Sequence, residues 1–490
     1  METFEKLIEI SDKRIFHAPK QFYRQAHSKI DWSERLICIK GPRGVGKTTV
    51  VLQHLANCFK GGEALYISLD NVWVNARELY EIAEYHHSHG GTHLFLDEVH
   101  QLEGWQKLVK SLYDDIPGLS IVYTGSSLLK MESKGGDLSR RQVVYGLPGL
   151  SFREYLAFEK LIDVGPFTLE EILAGHVEIA KDMVSGLKIL KAFDDYRAHG
   201  YYPFYREGLT HYEERIVQTV NQVLECDYPA IDEVEVSTVR KARRMLNVLA
   251  QSTPQTPNMD RLYRDLGTQR PQGLKMLYAL ERAGLLSMLS TDRAKLKTLA
   301  TPDKIYCDNT NLMNALVPNP NDGTARETFF LNQLRAAGHE VAYPTAGDFI
   351  VDGRFLFEVG GEGKGFAQIK DMPDSYVRAL TDFTRKRLMH PEERVVYVAK
   401  YWKDAPASAE AALRAGVFEK LPQENRIGKY CAYNHFGAGR PGKELTTRTD
   451  VTLVKSAERP QLAADKPGKE AGVCVAFDDT GLHVYAKFND

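Results

Sequence analysis

The chain has 490 residues, too many for one hydrophobic core, and a prior of about 100 to 200 residues per domain predicts about three or four domains. Its 63 basic and 65 acidic residues leave a net charge of −2, which excludes a chain-wide basic field for nucleic acid and leaves only a local basic face for that purpose. The six cysteines (Cys38, Cys58, Cys226, Cys307, Cys431, Cys474) stand apart without a C-x-x-C pair, so the expectation is reduced thiols and no zinc site.

The first residues are charged throughout and lack an apolar signal region, and no later stretch approaches the ~18 apolar residues of a membrane span. A cytoplasmic location without membrane contact is expected. Residues 1 to 35 predict a helical lead-in whose Leu7, Ile8, Ile10, Ile15, Phe16, Phe22 and Tyr23 suit either packing on a sheet or contact with an adenine ring. An apolar run (Leu36, Ile37, Ile39) then enters Gly41-Pro42-Arg43-Gly44-Val45-Gly46-Lys47-Thr48-Thr49, which fits the phosphate-loop spacing G-x-x-x-x-G-K-[ST]. Glycines let successive N–H groups turn inward toward phosphate oxygens, and the helix starting near Lys47 adds its positive dipole end. Lys47 is expected to reach the β- and γ-phosphates of ATP, and the Thr48 hydroxyl to complete a Mg2+ shell.

A helix to about Phe59, a strand ending near Asp70 and a polar helix through Glu81 and His87 follow. The apolar strand from Thr92 then delivers Asp97 and Glu98 at its carboxyl end, where ligands sit in open α/β sheets. Asp97 suits Mg2+, directly or through water, and Glu98 suits polarising the water that attacks the γ-phosphate. The strand LSIVYTGSS ends in Thr124, Gly125, Ser126 and Ser127; either Ser126 or Thr124 suits sensing the γ-phosphate, and a helix cap is the competing role for Ser126. Arg140 and Arg141 are candidates for stabilising transition-state charge, from the same or a neighbouring subunit. His86, His87, His89 and His93 are read as a solvated helix end, since no acid or cysteine completes a ligand set.

GPRGVGKTT, HLFLDEVHQLEGW, IVYTGSS and the run from Leu138 to Tyr155 together resemble the AAA-superfamily ATP-binding proteins of bacteria and archaea, related to archaeal-type ATPases. The resemblance is strong over about the first third and continues more weakly, through GYYPFYREG, TPDKIYCDNTNL and ARETFFLNQL, to about residue 370. It implies an AAA-like P-loop NTPase over residues 1–150, an α/β domain with a parallel sheet and helices on both faces. It gives Lys47, Thr48, Asp97 and Glu98 the roles just argued from their chemistry.

Helical periodicity over 151–236 predicts a lid beside the nucleotide site, broken at Gly200 to Gly208 by an aromatic turn. Residues 237–303 predict three helices and a strand pair, a winged helix-turn-helix plan, with Gln269, Arg270, Gln272 and Lys275 facing DNA. Such a module also serves as a lid or protein dock, and both roles stay open.

From Thr324 the order helix, strand, strand, strand, helix (residues 374–389), strand resembles the restriction-endonuclease-like fold, assigned to 304–403. That resemblance implies a second metal site at Glu327, Asp348 and Glu358. The lysine expected two residues after Glu358 is replaced by Gly360, so Lys364, with help from Gln368, is the substitute; the alternative is a recognition module without cleavage. Residues 404–490 predict a β-rich extension with a polar linker, closing in a hairpin around Asp479-Thr480-Gly481. The expected function is Mg2+-dependent ATP hydrolysis coupled to DNA- or partner-binding modules, with oligomerisation open. Its rivals are a nucleotide-dependent protein-binding switch and an ATP-gated nuclease.

Overall fold

A computed structural model describes residues 2–70, 74–126, 138–184, 187–229, 234–251, 258–291, 301–360, 375–379, 451–452, 461–462, 471–478 and 481–488. The chain divides into two compact units: residues 1–172 with 178–354, and residues 173–177 with 355–490.

The first unit is built on a five-stranded sheet. Helices α1 (Glu2–Phe16) and α2 (Gln25–Lys29) precede β1 (Leu36–Gly41), and then come α3 (Lys47–Cys58), β2 (Ala64–Ser68), α4 (Ala76–Ser88), β3 (His93–Asp97), α5 (Trp105–Asp115), β4 (Ser120–Ser126) and β5 (Val143–Gly146). The strand order is β2-β3-β4-β1-β5, every pair parallel. Because such a sheet is covered on both faces, its strands read as nearly unbroken apolar runs, and Leu36 to Ile39 are all buried. Alternate side chains go to opposite layers. Leu94 and Leu96 join Leu79 and Ile82 of α4 and Leu108 and Val109 of α5, whereas Phe95 meets the rings of His54 and Phe59 on the other face. Helix α4 starts at a capping box in which Asn75 and Glu78 satisfy each other's amides, and α6 (Phe152–Phe158) does the same with Ser151 and Glu154.

After α6 come α7 (Leu169–Val184), α8 (Ile189–Asp195), a π-helical turn Tyr196–Gly200, a 3-10 turn Pro203–Glu207, α9 (Tyr212–Gln222) and a second π-helical turn Val223–Asp227. Three further helices, α10 (Val236–Gln251), α11 (Met259–Asp265) and α12 (Arg270–Arg282), lead into β6 (Leu286–Leu289), antiparallel to β7 (Lys304–Cys307). The second strand thus lies just beyond the residues 237–303 assigned to the three helices and strand pair, and residues 292–300 lie outside the described residues. Helices α13 (Thr310–Leu316) and α14 (Asp322–Ala337) and the antiparallel pair β8 (Val341–Ala342) and β9 (Phe349–Val351) complete this unit.

Asn311, fully buried, ties the β7–α13 turn to the aromatic segment. Its Oδ1 accepts from the Tyr201 N–H and the Tyr212 hydroxyl, both at 2.7 Å, and its Nδ2 donates to the carbonyls of Tyr196 and Arg197. A buried amide with every polar atom engaged pins one conformation.

In the second unit β10 (Phe355–Gly360) pairs in parallel with β11 (Ser375–Ala379). This corrects the helix expected from residue 374: Tyr376 and Val377 carry aromatic and β-branched side chains that suit a strand, and Tyr376 stacks on Phe357. The rest of that expected helix, residues 380–389, and the strand expected after it lie outside the described residues. Strands β12 (Val451–Thr452), β13 (Gln461–Leu462), β14 (Ala471–Asp478) and β15 (Gly481–Phe488) form an antiparallel sheet, and the last two are the hairpin expected at the close. Among the described residues no helix is long and apolar enough to cross a membrane.

Candidate nucleotide site

The loop after β1 has the backbone a phosphate cradle needs. A Cβ at Gly41 would lie 2.2 Å from the Leu147 carbonyl oxygen, so only glycine fits. Gly44 and Gly46 have φ of 80° and 94°, the left-handed region that favours glycine. Lys47 opens α3 with its side chain buried, and its ammonium donates to the carbonyls of Gly41 and Pro42, each at 3.1 Å. Thr49 follows on α3, and Val45 is fully buried.

Arg24 braces this loop from behind. Its guanidinium donates to the Val45, Pro148 and Gly149 carbonyls, each at 2.8 Å, and to both oxygens of Glu154 at 2.9 and 3.2 Å. Burial pushes the Glu154 carboxyl up, but Arg24, with amide bonds from Ser151 and Gln25, outweighs it and holds the group below its ordinary value. Over the outer side of the loop lies the aromatic turn: a Cβ on Gly44 would be 2.6 Å from the Phe204 ring, and one on Gly46 3.9 Å from Pro203. The aromatic turn expected at Gly200 to Gly208 is therefore packed against the phosphate loop.

The acids of β3 arrive beside Thr48. Asp97 Oδ2 accepts from the Thr48 hydroxyl at 2.7 Å and from the Tyr66 hydroxyl at 2.7 Å, and Oδ1 accepts from the Thr124 hydroxyl. Burial and the Asp97 charge push the Tyr66 phenol well above its ordinary value, so it stays a donor. Arg14 donates to the Tyr66 oxygen at 3.0 Å, linking α1 to the site.

Strand β4 lies between β1 and β3, and this sets the roles of its polar end. Thr124 touches Asp97 and also accepts the Glu98 N–H at 3.1 Å. Ser126 is buried opposite Gly41, and Thr124 is joined to both acids. Glu98 has a left-handed backbone (φ 56°, ψ 46°) that costs a non-glycine residue about 1–2 kcal/mol, a strain typical of functional turns. Its Oε1 is 3.7 Å from the Lys47 ammonium and its Oε2 is 3.2 Å from His100 Nδ1.

His100 Nε2 faces Asp227 Oδ1 at 3.3 Å, and Arg43 of the loop grips Asp227 with two bonds of 3.0 Å. Burial pushes the Asp227 carboxyl up, yet the hydrogen bonds from His100 and Arg43 prevail and hold it below its ordinary value. Arg24, Tyr66, Thr124, His100 and Asp227 are contributions that sequence reasoning missed or ranked second. The spacing of His100 just after the paired acids was the one local signal available.

Arg141 is elsewhere. It pairs with Asp114 at 2.9 Å just ahead of β5, whose first residue, Val143, lies opposite Ile37 at the amino-terminal end of the sheet. The phosphate loop leaves the opposite end, so Arg141 does not reach the cradle of its own chain; Arg140 is exposed in the same turn. The histidines near the end of α4 bind main-chain oxygens: His86 that of His93, His87 that of Gly91, His89 that of Tyr85.

The acids expected to form a second site have an unexpected partner. Lys304 of β7 lies 3.4 Å from Asp348 and 3.6 Å from Glu327, and the Tyr306 hydroxyl donates to Glu327 at 2.8 Å. Glu358 is fully buried on β10, in the second unit, and Lys364 and Gln368 lie outside the described residues. On α12, Gln272 and Lys275 are exposed, Arg270 donates to Thr301 at 3.1 Å, and Gln269 holds the N-cap position without a side-chain capping bond.

Comparison with known proteins agrees with this geometry at the level of the domain. Residues 33–156 match the family described as AAA domain, and residues 190–323 match a family described as Domain of unknown function (DUF8612). Residues 33–156 thus form an AAA-type domain with a five-stranded parallel sheet. No curated protein matches the chain.

Among solved structures, C. elegans PCH-2 is 14% identical, with 34% of this chain and 50% of that one covered and a TM-score of 0.20. The Aeropyrum pernix ORC1 protein, solved in complex with DNA, is 11% identical over 64% of this chain and 91% of that one, with a TM-score of 0.27. Katanin, from a structure describing its self-assembly, is 16% identical over 34% and 60%, with a TM-score of 0.21. The chain spans half of the PCH-2 chain and less than two thirds of the katanin chain.

Proposed function

We propose that the chain is an ATPase that binds ATP with Mg2+ at Gly41 to Thr48 and hydrolyses it. The observation that carries this reading is the Thr48 hydroxyl 2.7 Å from the Asp97 carboxylate, beside the buried Lys47 ammonium at the glycine loop. A hydroxyl and a carboxylate are hard oxygen donors of the kind Mg2+ takes, with phosphate and water filling the remaining positions. Bound there, Mg2+ supplies neutralisation of charge on the β- and γ-phosphates.

The protein's own groups do the rest. Lys47 leaves the Gly41 and Pro42 carbonyls for phosphate oxygens, and the loop amides take up the remaining charge. Glu98 accepts a proton from water as the water oxygen bonds to the γ-phosphorus and the bond to the β–γ bridging oxygen breaks, giving ADP and phosphate. Thr124 fixes both acids through Asp97 and the Glu98 N–H. Arg140 and Arg141 keep a part only at the site of a neighbouring copy, in an oligomer. Phosphate release by wild type, Lys47→Ala and Glu98→Gln tests the assignment: each variant is expected to lose about 10²-fold or more, and equal rates in all three overturn it.

The finer reading makes residues 151–236 a lid, residues 237–303 a winged helix that meets DNA through Gln269, Arg270, Gln272 and Lys275, and residues 304–403 a restriction-endonuclease-like module. Three helices followed by the β6–β7 hairpin support the second of these. For the third, the Lys304 ammonium between Glu327 and Asp348 supports recognition over cleavage, because it already neutralises the acids a metal would need. ATP turnover then sets how these modules hold DNA or a protein partner. DNA-stimulated turnover that weakens with salt would support the DNA reading, and turnover indifferent to DNA would favour the protein-binding switch.

A further inference from the structure

A line of polar side chains leaves the candidate site and ends in the lid: Glu98 to His100 at 3.2 Å, His100 to Asp227 at 3.3 Å, and Asp227 to Arg43 of the phosphate loop at 3.0 Å. Asp227 stands 127 residues beyond His100 and 184 beyond Arg43, so only the folded lid brings it here. Its side chain is fully buried and that of His100 is 1% exposed.

The carboxylate sits at the end of the π-helical turn Val223–Asp227, a departure from α-helical winding that re-aims a side chain and is common at functional positions. The described groups around His100 are Glu98, Asp227 and the Gln101 amide, 3.2 Å from Nε2. Glu98 Oε2 and His100 Nδ1 lie 3.2 Å apart, both buried, and neither completes a hydrogen bond among the described residues, so each is the nearest polar neighbour the other has to satisfy it. The candidate base is thus held between the Lys47 ammonium, 3.7 Å from Oε1, and the imidazole beside Oε2, while Asp227 and the Gln101 amide flank the far nitrogen of that imidazole.

We infer that Asp227 is a positioning residue for hydrolysis, through which the lid sets both the Glu98 carboxylate, by way of His100, and the phosphate loop, by way of Arg43. The inference rests on the ATPase reading. It assigns to the lid a direct hold on the reacting end of the site: displacement of the π-helical turn withdraws the support of His100 and releases Arg43 together. Hydrolysis then proceeds only with the lid seated, while ATP binding, which draws on the loop amides, Lys47 and Thr48, feels Asp227 only through the hold of Arg43 on the loop and changes far less than turnover.

The test is steady-state turnover and equilibrium binding of a fluorescent ATP analogue for the full chain, wild type, Asp227→Asn, His100→Gln and the double variant. Asp227→Asn is expected to lower kcat by about tenfold or more, the scale of removing one charge-assisted hydrogen bond from the transition state, with analogue affinity within about threefold of wild type. A purely structural ion pair would lower stability and affinity together and leave kcat per folded molecule unchanged, which overturns the inference.

Because the two residues act in series, the double variant is expected to lose much less than the product of the two single losses; a multiplicative loss overturns the His100 link. Should Asp227→Asn fail to fold, His100→Gln alone carries the test, with the same split between kcat and affinity expected and an unchanged kcat overturning it. Wild-type protein that binds the analogue without turnover overturns the ATPase reading and this inference together, whereas normal turnover in Asp227→Asn overturns the inference alone.

Discussion

Arg24→Ala probes how the phosphate loop is held. The guanidinium is 6% exposed and makes bonds of 2.9 and 3.2 Å to Glu154 and of 2.8 Å to three carbonyls, one of them Val45 in the loop. Its removal leaves a buried carboxylate supported, among the described residues, by Ser151 and the Gln25 amide. Breaking a buried pair from one side costs about 3–5 kcal/mol, and water entering the gap would serve the freed carbonyls, so the whole effect is expected in that range.

The pH dependence fixes the cause. In wild type the Glu154 pKa lies below its ordinary 4.5, so its stabilisation is present above that value and lost as pH falls through the folded value. Without Arg24 the burial contribution, which raises it, is unopposed by the guanidinium, and protonation relieves the buried charge. The deficit of Arg24→Ala should therefore narrow as pH falls from neutral toward 4.5. Urea unfolding followed by tryptophan fluorescence at several pH values measures it. A deficit below about 1 kcal/mol at neutral pH, or one that grows on acidification, would refute the argument.

Gly44→Ala places a Cβ 2.6 Å from the Phe204 ring on a backbone of φ 80°, so it should lower the melting temperature and weaken ATP binding. Adding Phe204→Ala should restore only the steric part, which a comparison of melting temperatures reads directly. Thr48→Val removes a hydroxyl bonded at 2.7 Å to Asp97 and should reduce Mg2+-dependent turnover by about 10²-fold, seen as a flattened magnesium titration. Incubation of labelled duplex and single-stranded DNA with Mg2+ or Mn2+ should give no cleavage; cleavage that disappears in Asp348→Ala would mean that Lys304 does not keep metal from those acids.

What the sequence made legible was whatever depends on neighbours in the chain. The glycine spacing from Gly41 to Thr48 prescribes a loop and a helix start, and Asp97-Glu98 after an apolar run prescribes acids at a strand end, because backbone geometry ties them together locally. The closing hairpin was legible for the same reason. Residues 375–379 were not: as a short segment in a polar stretch they suit either state, and parallel pairing with β10 decides for strand.

The groups that complete the site come from far away. Arg24 meets Glu154 across 130 positions, Tyr66 meets Asp97 across 31, and His100 meets Asp227 across 127, none of which a local pattern encodes. Arg141 shows the converse: a position near the domain's end suggests closeness to the site, whereas the register of β5 places it at the other end of the sheet, so of the two readings expected for it only the one at a neighbouring subunit's site keeps its support.

The central claim is that a triphosphate rests in the loop between Lys47 and the acid pair. Titration calorimetry of ATP into wild type and Lys47→Ala, with and without Mg2+, tests it most directly. The account predicts saturable, magnesium-strengthened binding by wild type and a loss of about tenfold or more in Lys47→Ala. Equal affinities in the two proteins, or ATP binding by neither, would contradict it.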